Sequence, residues 1–451
     1  MNDAPKFLPR RLVPFVTLLL LLAPAVNLVW RGGTGYCFFL LLAIALQQAW
    51  VNRHDRDYFA PLRAHPWYVA AMVVPVTAML VQQAVYGYWD PRQFDPLSRF
   101  ALAVPIFVML CRLPSRNLAA IGWGCALGAL AASAWLIIAP PAGDWSATVR
   151  LTNYYTNPIP FGDTALLFAF LSLFTFGWDR RHRAFALVVK LLGLVAGGVA
   201  SYLSGTRGGW IAIPLFLILI GVQYGWFTHW KRIVVAAVCI AACVAALLST
   251  ERIHQRFIDA TRDVSLLERG EENTSVGERL QLWRASITLF EQHPIYGVGK
   301  GHLRSAIRDL AERGIASPHI INERAHSDFF SALAEMGAIG AASIFVVYFG
   351  TSVYFWRARR DTDPVIRTAA CSGLAVSFST ILFGLTIDVF VPIMVTVVLA
   401  LLTATFLAAI VARRRECALD ALRAQTQRDT VQARAHGHVQ SDARPPVASS
   451  S

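Results

Sequence analysis

The sequence predicts an all-α, polytopic membrane protein of about 12 transmembrane helices with one large, partly helical outer loop. Three observations predict it. Hydrophobic residues make up 55% of the 451 and charged residues 15%, where a soluble domain averages about 25% charged; the mean hydropathy is +0.48. The charges are bunched between apolar runs close to the ~20 residues that cross a ~30 Å hydrocarbon core. Those runs are continuous, not alternating, so they read as helices rather than barrel strands.

The expected spans are 12–30, 36–51, 67–86, 100–112, 118–140, 159–178, 184–203, 208–228, 233–249, 329–355, 365–387 and 389–411. No small-residue cleavage site follows the first, which reads as a retained span and not a removed signal. The second and fourth are short, and only Asp388 separates the last two. The organisation is therefore 1–249 with nine spans, a loop over 250–328, three spans over 329–411, and a tail over 412–451. The tail is rich in Ala, Gln and Arg and ends RPPVASSS, a short helix followed by disorder.

Basic residues set the direction. Lys6, Arg10 and Arg11 precede the first span, and alternate connections carry NRHDRDYFAPLRAH, RLPSRN, DRRHR, HWKR, RARRDTD and ARRRE. The pattern puts both termini in the cytoplasm and residues 250–328 outside. The net charge of +13 follows from these anchors, which meet membrane lipids; no nucleic-acid motif is present, and nucleic acid is not an expected partner. None of the seven cysteines lies in the large loop, and no CxxC or Cys/His cluster suggests zinc.

The loop holds ten Arg, one Lys and twelve Asp or Glu. In ERLQLWRASITLFEQH, Leu280, Trp283, Ile287 and Phe290 recur at helical spacing. Pro294 and Gly297 of HPIYGVGKG then stop that helix.

Four residues are candidates for chemistry. Arg207, in SYLSGTRGGW, stands at the outer mouth of a span, the side that basic residues avoid. Gly205, Gly208 and Gly209 beside it permit close approach of a ligand to the backbone, and a guanidinium there suits a phosphate or diphosphate; the alternative is snorkelling. Arg279, one turn before Trp283, shares its face of the loop helix, which points that face inward or towards the membrane surface; the alternative is a solvated face. His326 stands where the loop returns to the membrane, level with Arg207, and a neutral imidazole can take a proton from a hydroxyl. His254, His293, His302 and His319 share the outer side and read as structural. Arg150, on the 141–158 connection, is a secondary candidate beside an interfacial-anchor reading. No metal site, cofactor, Gly-rich nucleotide loop or carboxylate pair stands out. With no ATP outside, an outer reaction needs a donor already activated.

TRGGW, then GERLQLWRASITLFEQHPIYGVGKG, then RAHSDFFSALAEMGAIG resembles the signature region of the bacterial O-antigen ligase and polymerase family. The order is an Arg at a span mouth, an Arg-x-x-x-Trp helix, an HPxxGxG turn, and a His before a span with Glu and Gly. Ser327 departs from the Asn common at its place. The resemblance covers about 207–340 strongly and the span layout more weakly. It implies a metal-independent, membrane-embedded glycosyltransferase in the Gram-negative inner membrane, its site facing the periplasm. It implies an undecaprenyl-diphosphate-linked polysaccharide donor, Arg207 and Arg279 on the diphosphate, and His326 at the acceptor hydroxyl. The first expectation is an O-antigen ligase that transfers O-antigen to a sugar of lipid A–core. Its rivals are the polymerase, often with two sizeable outer loops, and a protein O-oligosaccharyltransferase, often with an extra outer region. A lipid or glycan transporter would favour charges deep in the spans, where only Lys190 and Asp163 stand out.

Overall fold

The computed structural model describes residues 8–138, 150–179, 181–206, 208–226, 234, 274–321 and 323–441. Among them there is helix and no strand. Nine stretches are long and apolar enough to cross a bilayer: Gly33–Val51, Pro66–Tyr86, Pro91–Leu110, Ser115–Ile138, Pro158–Trp178, Arg183–Leu203, Asp328–Ala358, Pro364–Gly384 and Ile393–Thr430. Leu12–Ala25 and Gly208–Gln223 are shorter apolar helices. The chain is an all-α polytopic membrane protein. The expected span at 233–249 lies outside the described residues except for residue 234.

In chain order the helices are α1 (Leu12–Ala25), α2 (Gly33–Val51), α3 (Ala60–Ala64), α4 (Pro66–Tyr86), α5 (Pro91–Leu110), α6 (Ser115–Leu118), α7 (Ala120–Ile138), α8 (Pro158–Thr175), α9 (Arg183–Leu203) and α10 (Ile213–Gln223). After the loop come α11 (Ser275–Gln292), α12 (Leu303–Glu312), α13 (Asp328–Gly350), α14 (Ser352–Ala358), α15 (Pro364–Gly384) and α16 (Ile393–Ser441).

Two boundaries differ from the sequence expectation for identifiable reasons. The short fourth span is a full helix, α5, which starts in polar sequence. Asp90 caps it by accepting from Arg92 N at 3.1 Å, and Pro91 supplies the preset φ of a first turn. The last span does not stop at 411. α16 runs on to Ser441, because the Ala-, Gln- and Arg-rich tail has no Gly or Pro strong enough to end it before that point.

Small residues set the packing of the spans, as expected where no hydrophobic effect separates helix from lipid. A β-carbon on Gly128 of α7 would lie 2.4 Å from Pro24 O of α1, and one on Gly197 of α9 would lie 2.5 Å from Ala165 O of α8. The apolar half of α16 is almost wholly buried, in contact with α5 and α15. At the basic end of the bundle, Arg413 Nε pairs with Asp363 Oδ2 at 2.8 Å, and Glu416 accepts from Ser115 N and Oγ, both at 2.7 Å. At the opposite end, the loop face, residues 274–327 form a small second core from Leu282, Ala285, Leu289, Leu303, Ile307, Leu310, Ile320 and Ala325.

Candidate functional site

Three anchors hold the loop on the bundle. The first is α11. Thr274 caps it through Gly277 N at 3.1 Å. Its buried stripe is Leu282, Ala285, Ser286 and Leu289, not the expected Leu280, Trp283, Ile287 and Phe290; Ile287 is exposed. The smaller Ala285 and Ser286 let the helix approach the amphipathic α12, and the larger residues fall to the flank.

The second anchor is Trp283 on that flank. Its indole Nε1 donates to Ala325 O at 3.0 Å, and its ring stacks on Phe330 of α13 with centroids 4.8 Å apart and planes 15° apart. One aromatic side chain therefore ties the Arg-bearing helix to the return segment that carries His326.

The third anchor is the HPIYGVGKG turn, which docks where α13 is broken. Gly337 takes φ 63°, ψ −150° inside that helix, and a β-carbon there would lie 2.6 Å from the Ile295 carbonyl, so the position requires glycine. The break frees backbone groups. Val298 N donates to Ala334 O and Gly299 N to Glu335 O, both at 2.9 Å, and Ala338 N donates to Pro294 O at 2.8 Å. Gln82 of α4 reads the same junction: its Nε2 donates to Glu335 O at 2.6 Å and its Oε1 accepts from Lys300 N at 3.1 Å. Non-helical backbone near a membrane persists only where protein satisfies it, and here it does. Lys300 then pairs with the Glu335 side chain, which also accepts from Gly301 N at 3.0 Å. Burial pulls the Lys300 pKa down, but Glu335, with Asp388 and Asp328 beyond it, outweighs that and holds it above its usual range.

His326 has a left-handed backbone, φ 50°, unusual for a residue with a side chain. Its ring is about three-tenths exposed, with Nε2 3.4 Å from Glu323 Oε2. Nδ1 is buried with no hydrogen-bond partner. Strain and an unpaired ring nitrogen together are common marks of a functional residue. Ser327 after it is buried and stands at the N-cap of α13.

Arg279 is half-buried on α11. Burial, then the like charge of Arg150, lower its pKa. Arg150, 129 residues earlier in sequence, thus lies within electrostatic range of Arg279. Arg207 lies outside the described residues. Of its neighbours, Thr206 is buried and donates to Pro158 O at 3.0 Å, and a β-carbon on Gly209 would lie 2.1 Å from Asp163 Oδ1. His254 is also outside the described residues. His293 and His319 are exposed, and His302, also exposed, meets Tyr88 edge-on with centroids 5.1 Å apart.

A cavity of about 480 Å³ opens beside the return segment, between α4, α5, α12 and α13. Asp328, Glu335 and Asp388 are buried in its wall. Sequence reasoning missed all of these carboxylates as site residues, although an acid inside or beside an apolar run is itself a signal. Among the described residues no group of three His, Cys, Asp or Glu is arranged to hold a metal ion.

Comparison with known proteins agrees with the region this geometry singles out. A protein of Haemophilus influenzae, described as uncharacterized, is 23% identical over 275 residues, covering 58% of this chain and 66% of that protein. The chain therefore spans just under two thirds of that relative's length. The O-antigen ligase family model matches residues 192–345, from the end of α9 through Arg207, α11, the HP turn and His326 to the far side of the α13 break. Over residues 192–345 the chain therefore carries a region similar to the O-antigen ligase family.

Proposed function

We propose that this protein is an O-antigen ligase of the inner membrane, with the loop face in the periplasm and both termini in the cytoplasm. It transfers O-antigen polysaccharide from undecaprenyl diphosphate to a sugar hydroxyl of lipid A–core, completing lipopolysaccharide. The observation that carries this reading is the similarity of residues 192–345, which include Arg279 and His326, to the O-antigen ligase family. Arg279 is half-buried within the field of Arg150, and a guanidinium in that setting suits a diphosphate.

The reaction needs few parts. The acceptor hydroxyl oxygen attacks the anomeric carbon, and the bond from that carbon to the diphosphate oxygen breaks. The hydroxyl proton passes to the His326 ring. The charge that develops on the leaving diphosphate is met by Arg279 and Arg150, with Arg207 of the TRGGW motif as a third donor. Preorganised cations at a leaving group make a separate general acid unnecessary, and no step requires a metal.

The test is the lipopolysaccharide profile of a deletion strain complemented with the wild type, Arg279→Ala or Arg150→Ala. The expected result is long-chain lipopolysaccharide with the wild type alone. Both variants should reach the membrane while carrier-linked polymer accumulates. Lipopolysaccharide with a single repeat unit in the deletion strain would identify a polymerase instead, and full activity of either variant would remove that arginine from the site.

A further inference from the structure

The cavity beside His326 has a composition that the donor site does not use. Its mouth carries three exposed arginines, Arg92, Arg304 and Arg324, with Glu323. Its wall holds carboxylates fixed by protein donors. Asp328 accepts from Phe390 N and from the Tyr348 hydroxyl, both at 3.2 Å. Asp388 accepts from Ser331, and Glu335 from Lys300 and Gly301. The lining also includes the buried apolar side chains of Leu97, Met336 and Ile344. The volume of about 480 Å³ falls in the ~300–1,000 Å³ range of small-molecule sites.

Each part selects a chemistry. Carboxyl groups fixed in a cavity wall offer hydrogen-bond sites at set positions, which favour a ligand rich in hydroxyls. Guanidinium groups at a mouth favour phosphate or carboxylate. Those apolar side chains suit the C–H face of a sugar ring. Glu323 links cavity to base, since it lines the mouth and lies 3.4 Å from His326 Nε2. Trp283 reaches the same return segment at Ala325. We infer that this cavity is the acceptor subsite and that it takes an anionic sugar, one carrying a phosphate or carboxylate beside its free hydroxyls. The inference rests on the transferase reading for the word acceptor; the anionic-sugar site stands on the cavity alone.

The test uses the purified full chain in nanodiscs without donor. The probes are delipidated core oligosaccharide with its phosphates, the same oligosaccharide after hydrofluoric acid removes them, and phosphatidylglycerol. The phosphorylated oligosaccharide should bind, and Arg92→Ala and Arg324→Ala should each weaken it about tenfold or more, the cost of a lost charge-assisted bond. Both arginines are exposed, so the variants should keep the wild-type melting temperature. The dephosphorylated oligosaccharide should bind weakly and equally to all three proteins. Equal binding of the two oligosaccharides, or variants that bind like wild type, would overturn the inference. So would displacement of the oligosaccharide by phosphatidylglycerol headgroups, which would make this a lipid site. In turnover assays Arg324→Ala should raise the acceptor KM and spare kcat; ligation with an unchanged KM removes the subsite and leaves the transferase reading. Specific binding with no transfer in any form removes the transferase reading and leaves the anionic-sugar site.

Discussion

Trp283→Phe isolates the link between the arginine helix and the histidine. The change deletes one hydrogen bond, indole Nε1 to Ala325 O at 3.0 Å, and keeps an aromatic ring against Phe330. Ala325 is fully buried, so its carbonyl is left without a partner, which costs about 1–3 kcal/mol. The residue next to it, His326, sits at φ 50°, a left-handed conformation that costs a side-chain-bearing residue about 1–2 kcal/mol. The two magnitudes match, so losing the bond is enough to let the return segment relax and carry the imidazole away. At about 1.4 kcal/mol per tenfold, the productive population should fall by about 5- to 150-fold. The assay is turnover per folded molecule with carrier-linked glycan, run beside donor affinity and a melting curve. We expect kcat to fall with donor affinity unchanged, because Arg279 and Arg150 are untouched. A lower melting temperature with wild-type turnover per folded molecule would refute the reasoning and reduce Trp283 to packing.

Other predictions follow from single contacts. His326→Ala should lose about 10²–10⁴-fold in turnover, the usual worth of a positioned base, with donor binding retained, whereas His302→Ala and His319→Ala should stay close to wild type by the same assay. Lys300→Met leaves Glu335 buried without its cation and should cost about 3–5 kcal/mol in denaturant melts. The Lys300 pKa is raised, so the pair's contribution is fully present below the ordinary lysine pKa and is lost only as pH rises through the higher folded value; the wild-type-minus-variant difference should therefore stay constant across the neutral range. Gly337→Ala places a methyl 2.6 Å from the Ile295 carbonyl at positive φ and should abolish folded protein in size-exclusion profiles. Cysteine in place of the exposed Arg308 on α12 should label in intact spheroplasts while native Cys417, exposed at the other end, labels only after lysis; the reverse order would invert the orientation.

The spans were legible because lipid permits one solution to a continuous apolar run, and the basic segments between them gave a consistent order. Boundaries were less legible where polar sequence is helical, as in the first turn of α5 and the far half of α16; there capping and the absence of breakers decide, not hydropathy. In the loop, helical spacing found α11 but chose its flank as the core. Two apolar stripes fit that sequence, and only the approach of α12 selects the one with Ala285 and Ser286. His326 and Arg279 could be named from motif order. Arg150 could be named only as a secondary candidate for the same pocket, because nothing in its local sequence separates a ligand-binding arginine from an interfacial anchor. The Glu335–Lys300 pair was hidden for a related reason: its partners meet only because α13 breaks at Gly337, and glycine in an apolar span has many other readings.

That break has a consequence for how precisely His326 can be held. A base must sit within about 0.5 Å of its working position to be effective, and side chains on loops seldom meet that standard unaided. The return segment here spans only residues 323–327 and is fixed from three directions. α13 begins directly after it at Asp328, whose carboxylate is bonded to Phe390 N and Tyr348. Trp283 holds it from α11 at Ala325. The turn at 297–301 clamps α13 two helical turns further on, where the freed carbonyls of Ala334 and Glu335 accept from Val298 and Gly299. An unbroken α13 would satisfy those carbonyls internally and leave the turn with nothing to grip. The loop would then hang from its two ends, with α11 free to pivot and carry Arg279 away from the histidine. The helix break is therefore what lets the turn at 297–301 grip α13, and with Trp283 it fixes the segment 323–327 that carries His326.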